Sequence, residues 1–105
     1  MLERDYQASL IRKLKSVFPG CIVLKNDSAY KQGIPDLLIL WNEHWAALEV
    51  KVSAKARVQP NQRYYVEQMH EMSFAAFIYP ENEEDVFHDL QQAFTSRRRS
   101  RVSKS

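Results

Sequence analysis

Apolar residues recur at steps of three and four over residues 2–18, at Leu2, Tyr6, Leu10, Leu14 and Val17. This spacing predicts a helix with one apolar stripe, ended by Pro19-Gly20. A short β-rich run, Cys21-Ile22-Val23-Leu24-Lys25, gives way to a loop that begins at Asn26-Asp27-Ser28 and lasts to Pro35. Two strand-like runs follow. The first, Leu37-Leu38-Ile39-Leu40-Trp41, is entered by Asp36 and does not alternate, which predicts a strand covered on both faces. The second, residues 45–52, does alternate, with Ala46, Leu48, Val50 and Val52 on one side and Ala47, Glu49 and Lys51 on the other. Asn42-Glu43-His44 is too short for a crossover, so the two runs form an antiparallel hairpin. If Asp36 shares a face with Glu49 and Lys51, even positions pair with odd ones, for example Asp36 opposite Lys51 and Leu38 opposite Glu49. A two- or four-residue turn, or a bulge, meets that condition.

A basic connection over residues 53–58 leads to Gln59-Pro60, where proline suits the first helical position. Gln62, Tyr65, Val66, Met69 and Met72 then recur at helical spacing. Phe74-Ala75-Ala76-Phe77-Ile78-Tyr79 reads as a further strand closed by Pro80. Asn82, with Asp85 three residues on, caps a final helix that turns Val86, Phe87, Leu90 and Phe94 inwards. The order α-β-β-β-α-β-α predicts an α/β fold in one domain, residues 1–94, followed by a tail, residues 95–105.

Composition narrows the class. A chain of 105 residues supports one core, and 45% hydrophobic with 27% charged residues is ordinary for a globular domain. No run approaches the ~20 apolar residues of a membrane span, and the charged start Met1-Leu2-Glu3-Arg4-Asp5 does not suit a signal peptide. The expectation is a soluble, intracellular protein. The single Cys21 excludes an internal disulfide; His44, His70 and His88 lack metal-ligand spacing and read as surface residues, so zinc is disfavoured. The net charge of +2 is unevenly spread: the tail holds five of the 15 Lys+Arg and no acid, leaving 10 cations against the 13 acids, about −3, for residues 1–94. A Ser/Arg tail with Val102 as its one apolar residue reads as a flexible arm attracted to phosphate, or else as a solubilising segment.

The chemistry gathers over residues 33–51. Pro35 holds Ile34 extended and sets its own φ, so Asp36 enters its strand with a nearly predetermined direction. Asp36 and Glu49 at one end of a sheet repel each other unless a cation lies between them, and oxygen-only ligation points to Mg²⁺, with Mn²⁺ as substitute. The Val50 carbonyl is a further candidate ligand. Lys51, on the Glu49 face, is placed to hold a phosphate oxygen or to help deprotonate an attacking water. Gln62 either orients Lys51 or the water, or satisfies its own helix start; Tyr65 belongs to the site or to the core. Glu3 either looks inwards or is a solvated acid favoured by the helix dipole. Trp41 and Trp45 near the hairpin tip suit the core, a dimer contact or a base-stacking platform. Lys31, Gly33, Lys55 and Arg57, with the tail residues Arg97, Arg98, Arg99 and Arg101, are the candidate DNA contacts.

Gly33-Ile34-Pro35-Asp36, Glu49-Val50-Lys51 and the Gln62 of Val58-Gln59-Pro60-Asn61-Gln62 closely resemble the signature of the PD-(D/E)xK nuclease superfamily, in particular its virus-type replication-repair (VRR-NUC) branch. The likeness covers about residues 3–79 and includes a Glu followed four residues later by a Gln in the first helix, here Glu3 and Gln7. It implies a restriction-endonuclease-like mixed sheet flanked by helices. It also implies Asp36, Glu49 and the Val50 carbonyl on the metal, Lys51 catalytic, Gln62 supporting and Glu3 as an additional acid. Small stand-alone members of the branch resemble homodimers that cut branched DNA, including four-way (Holliday) junctions, in bacteria and phage-infected cells. Flap, nicking or restriction-like cutting, or a catalytically inactive DNA-binding module, are the alternatives. The basic tail is not part of the family pattern.

Overall fold

Each apolar period produces the element it predicts. In a computed structural model that describes residues 1–96, helix α1 (Glu3–Val17) buries Tyr6, Leu10 and Leu14, one row of its three-and-four spacing. Strands β1 (Ile22–Lys25), β2 (Leu37–Trp41) and β3 (His44–Val50) follow, then helix α2 (Pro60–Met72), strand β4 (Phe74–Ile78), a 3₁₀ turn (Pro80–Asn82) and helix α3 (Glu83–Thr95). The four strands form one mixed sheet in the order β1-β2-β3-β4; β1–β2 and β2–β3 are antiparallel, and α2 supplies the crossover that makes β3 and β4 parallel. The α/β class and the element order therefore match the sequence pattern. Among the described residues, no helix is long and apolar enough to cross a membrane.

The alternation of β3 divides the interior. Ala46, Leu48 and Val50 face α1 and α3, together with Leu37, Ile39 and Ile78, the helix residues Leu10, Leu14, Val86, Leu90 and Phe94, and Phe18 just past the end of α1. Ala47 faces α2, with Ala75, Val66, Trp45, Met69 and Phe77. A tie between the two outer helices reinforces the larger layer: the Tyr6 hydroxyl donates to Glu83 Oε1 at 2.8 Å and Lys13 Nζ to Glu83 Oε2 at 2.7 Å. Burial pushes the Glu83 carboxyl up, but these two bonds win and hold it below the ordinary carboxylate range.

Several expectations are corrected in detail. The strand β2 is not covered on both faces, because α2 has 13 residues and lies over β3 and β4. On its side of the sheet Leu38 and Leu40 are half-buried, and their partners on β1, Leu24 and Ile22, remain exposed. Met72 is exposed rather than part of the α2 stripe. Asn82 does not cap α3 with its side chain; it closes the 3₁₀ turn instead, accepting from the Tyr79 N–H at 2.8 Å and donating to the Phe77 carbonyl at 3.0 Å. Helix α3 ends at Thr95, one residue past the boundary expected at 94. His44 is half-buried against Phe94 and so is not a surface residue, whereas His70 and His88 are exposed as expected, His70 Nδ1 also accepting from the Ala75 N–H. Arg97, Arg98, Arg99, Arg101 and the remainder of the basic tail lie outside the described residues.

Truncating Leu48, fully enclosed between the sheet and α1/α3, leaves a cavity that its rigid surroundings cannot close. We expect Leu48→Ala to cost roughly 3 kcal/mol in urea unfolding. Leu24→Ala, on the exposed side of β1, should cost less than about 1 kcal/mol. Equal losses would contradict the two-layer division.

Candidate active site

The hairpin decides which side chains meet. Trp41 pairs with His44, so Asn42 and Glu43 form a two-residue turn, and Asn42 takes a φ of 57° that asparagine tolerates better than most residues. Leu37 then lies opposite Leu48 and Leu38 opposite Ala47. Even positions pair with odd ones as required, but the register is two residues from the example offered by the sequence pattern. Continued one step, it brings Asp36, and not Leu38, level with Glu49. Asp36 is fastened there, its Oδ2 accepting from the Val50 N–H at 2.9 Å.

Glu49 and Lys51 are the two buried charged residues among those described, at 3% and 9% exposure. Lys51 continues the path of β3, its N–H donating to the Ile78 carbonyl at 2.9 Å. Its ammonium donates to Gln62 Oε1 at 2.9 Å and lies 3.7 Å from Glu49 Oε2. Gln62 closes the triangle through its Nε2, which donates to Glu49 Oε2 at 3.0 Å. The same Gln62 Oε1 also accepts from the Gln59 N–H at 2.9 Å, so Gln62 both satisfies the start of α2 and holds the charged pair. The two roles left open by the sequence are filled together.

One atom in this network has no partner. Glu49 Oε1 is buried without a hydrogen bond, whereas buried carboxylate oxygens are ordinarily satisfied. Burial, and then the neighbouring Asp36 charge, push the Glu49 carboxyl up to about 7 against the opposing pull of Lys51. Burial also raises Asp36, with the Val50 N–H and Lys51 acting in the other direction. Glu3 is solvent-exposed at the start of α1, yet its carboxyl is raised too, by partial desolvation and then by Asp36; α1 thus brings it within electrostatic reach of the site. Among the described residues, no group of three or more His, Cys, Asp or Glu side chains is gathered closely enough to hold a metal ion. Any cation here would rest on the two carboxylates and a main-chain oxygen such as that of Val50.

The loop over residues 26–35 forms the remaining wall. Asn26 clamps its base, bonding through its backbone N–H to the Asp36 carbonyl and through its side chain to the Pro35 carbonyl. Gly33 has a φ of 92°, and a Cβ there would meet Asn61 Cγ at 2.7 Å, so loop and α2 approach as closely as they do only because this position is glycine. Lys31 is exposed, its ammonium 5.7 Å from the centre of the half-buried Tyr65 ring. Lys55 and Arg57 are exposed on the connection between β3 and α2. Trp41 is taken up by the fold: it packs on Phe18 and Phe94 and donates to the Pro19 carbonyl at 2.9 Å. Trp45 packs beneath α2 on the opposite face. Neither tryptophan is a free stacking platform. The sequence reading missed the cleft that Ser28, Gln32, Gln59, Asn61 and Gln62 form between loop and helix. The run Gln59-Pro60-Asn61-Gln62, with three carboxamides in four residues, was its one visible sign.

No protein-family model, curated protein or solved structure matches this chain.

The raised Glu49 carboxyl has a defined consequence for stability. The folded state binds this proton more tightly than the unfolded chain, so the stability it contributes is complete below about pH 4.5 and is lost as pH rises through about 7. In metal-free buffer, Glu49→Gln should gain on the wild type by roughly 2–3 kcal/mol between pH 4.5 and pH 8. Thermal unfolding of both proteins across that range checks this, and a pH-independent difference would contradict it.

Proposed function

We propose that this chain is a metal-dependent endonuclease, a PD-(D/E)xK enzyme of the VRR-NUC type on a restriction-endonuclease-like core. Its reaction is the hydrolysis of phosphodiester bonds in branched DNA, with four-way junctions as the substrate. The observation that carries this reading is the Glu49 carboxylate: buried, with Oε1 unpartnered, its charge opposed by Asp36 and tied through Gln62 to a buried lysine. A purely structural acid in such a place gains nothing from its burial.

The donor set suits Mg²⁺, and Mn²⁺ as its substitute. Such sites ordinarily take one or two carboxylates and fill the rest of the octahedron with water and substrate oxygens. Asp36 and Glu49 would hold the ion, with the Val50 carbonyl as a further oxygen. When bound, the cation supplies Lewis-acid polarisation and a water of lowered pKa. The chain's own groups do the rest. Gln62 keeps the Lys51 ammonium at the carboxylate edge, where it holds a phosphate oxygen and opposes charge building up in the transition state. Glu3, at the rim, adds negative field near the same point. Lys31, Lys55 and Arg57, with the tail cations, are assigned to the DNA backbone, which favours recognition by shape over direct base reading.

Symmetric resolution of a four-way junction requires two cuts, and one site per chain delivers them only if two copies pair about a two-fold axis. With Trp41 committed to the core, the exposed apolar strip of Ile22 and Leu24 is the surface assigned to that contact. Sedimentation on junction DNA should give the mass of the DNA plus about twice the chain mass of 12.4 kDa. A monomer both free and bound would sink the two-copy arrangement.

The activity is tested with four-way, flap and linear duplex DNA in Mg²⁺ or EDTA. We expect Mg²⁺-dependent cutting of the branched substrates, reduced roughly 100-fold or more by Asp36→Ala or Lys51→Ala while binding persists. Undiminished cutting by Asp36→Ala would refute the ligand assignment.

A further inference from the structure

Beside the carboxylates lies a cavity of about 490 Å³, lined by Ser28, Ala29, Gln32 and Gly33 from the loop and by Gln59, Asn61 and Gln62 from the start of α2. Its volume falls within the roughly 300–1,000 Å³ of small-ligand clefts. Gln62 belongs to both places: it lines the cavity and bonds Lys51 and Glu49. The chemistry of the lining is distinctive. It holds four carboxamides and one hydroxyl, and no cation or acid; Gln59 and Gln62 are already bonded at the start of α2, which leaves the side chains of Gln32 and Asn61 to meet a ligand. Phosphate is met by Lys and Arg, which are missing from this wall, whereas the paired donor and acceptor of a carboxamide match the edge of a nucleobase.

We infer that this cavity receives one unpaired nucleobase of the DNA strand, swung out of its stack next to the phosphate held at Asp36, Glu49 and Lys51. The inference rests on the nuclease reading and adds to it a reason for preferring branched DNA. Extruding a base costs a few kcal/mol of lost stacking and pairing in an intact duplex, and less beside a branch point, where the run of stacked bases is interrupted. The pocket is built before DNA arrives, since Asn26 clamps the loop and Gly33 seats it on Asn61. Tyr30, on the same loop between Ala29 and Lys31, is 86% exposed, an aromatic ring available to stack on the neighbouring base.

The test uses the full chain with four-way junctions carrying 2-aminopurine at successive positions around the branch, in Ca²⁺. Saturation is followed by anisotropy and base extrusion by fluorescence. The wild type should brighten the probe several-fold at one position and little elsewhere. Gln32→Ala should lower that rise at least threefold. Ser28→Trp, which fills the cavity from an exposed loop position, should abolish it, with binding reduced less than threefold in both. No brightening in the saturated complex overturns the inference, as does a rise unchanged by Ser28→Trp. A parallel assay in Mg²⁺ separates the two readings. Cutting without brightening removes the base pocket and leaves the nuclease, while brightening without cutting does the reverse.

Discussion

With Asn42 and Glu43 as the only residues between Trp41 and His44, every even position of β2 meets an odd position of β3, and that parity governs the open end of the sheet. It sends Leu37, Ile39, Leu48 and Val50 into the large core and leaves Asp36, Glu49 and Lys51 on the α2 side. A slip of one residue would turn β3 over and drive Glu49 and Lys51 into a layer of Leu, Ile and Phe, at a desolvation cost that no contact there offsets. The positive φ at Asn42 is a small local strain set against that penalty.

The same end of the sheet is also where covering runs out. Helices α1 and α3 bury Leu37, Ile39, Leu48, Val50 and Ile78 on one face, tied to each other through Glu83, whereas α2 lies over β3 and β4 on the other. Glu49 therefore sits at a border, deep enough to be desolvated and near enough to the loop for ligands to approach. Gln62 spans that border. Its carbonyl oxygen satisfies both the first turn of α2 and the Lys51 ammonium, and its amide nitrogen holds Glu49, so the seating of the helix and the geometry of the charged pair are one interaction. Gly33 and Asn61 fix the loop against the same turn, which makes the cleft a by-product of how α2 starts.

What was legible in the sequence follows from periodicity. The α1 stripe, the split of β3 into two faces and the inward set of α3 are repeats of 3.6 or 2, and such repeats survive folding because burial rewards them. The coverage of β2 was not legible: an unbroken apolar run says that a strand avoids water, but the length and landing place of a distant helix decide which of its faces is closed. Asn82 misled for a related reason. Asparagine before an acidic turn is a capping signal, and here the preceding 3₁₀ turn claimed its side chain first.

The candidate site divides along the same line. Residue types and spacing alone determined that Glu49 and Lys51 share a face and that Gln62 opens a helix, because these are local facts of strand alternation and helix start. Only the tertiary structure decided that Asp36 lies level with Glu49, that one oxygen of Glu49 is stranded in the interior, that Trp41 is spent in the core, and that four carboxamides from two distant segments share a cavity. Those outcomes depend on how a loop of ten residues folds back over α2, and contacts made at that range leave no period in the chain.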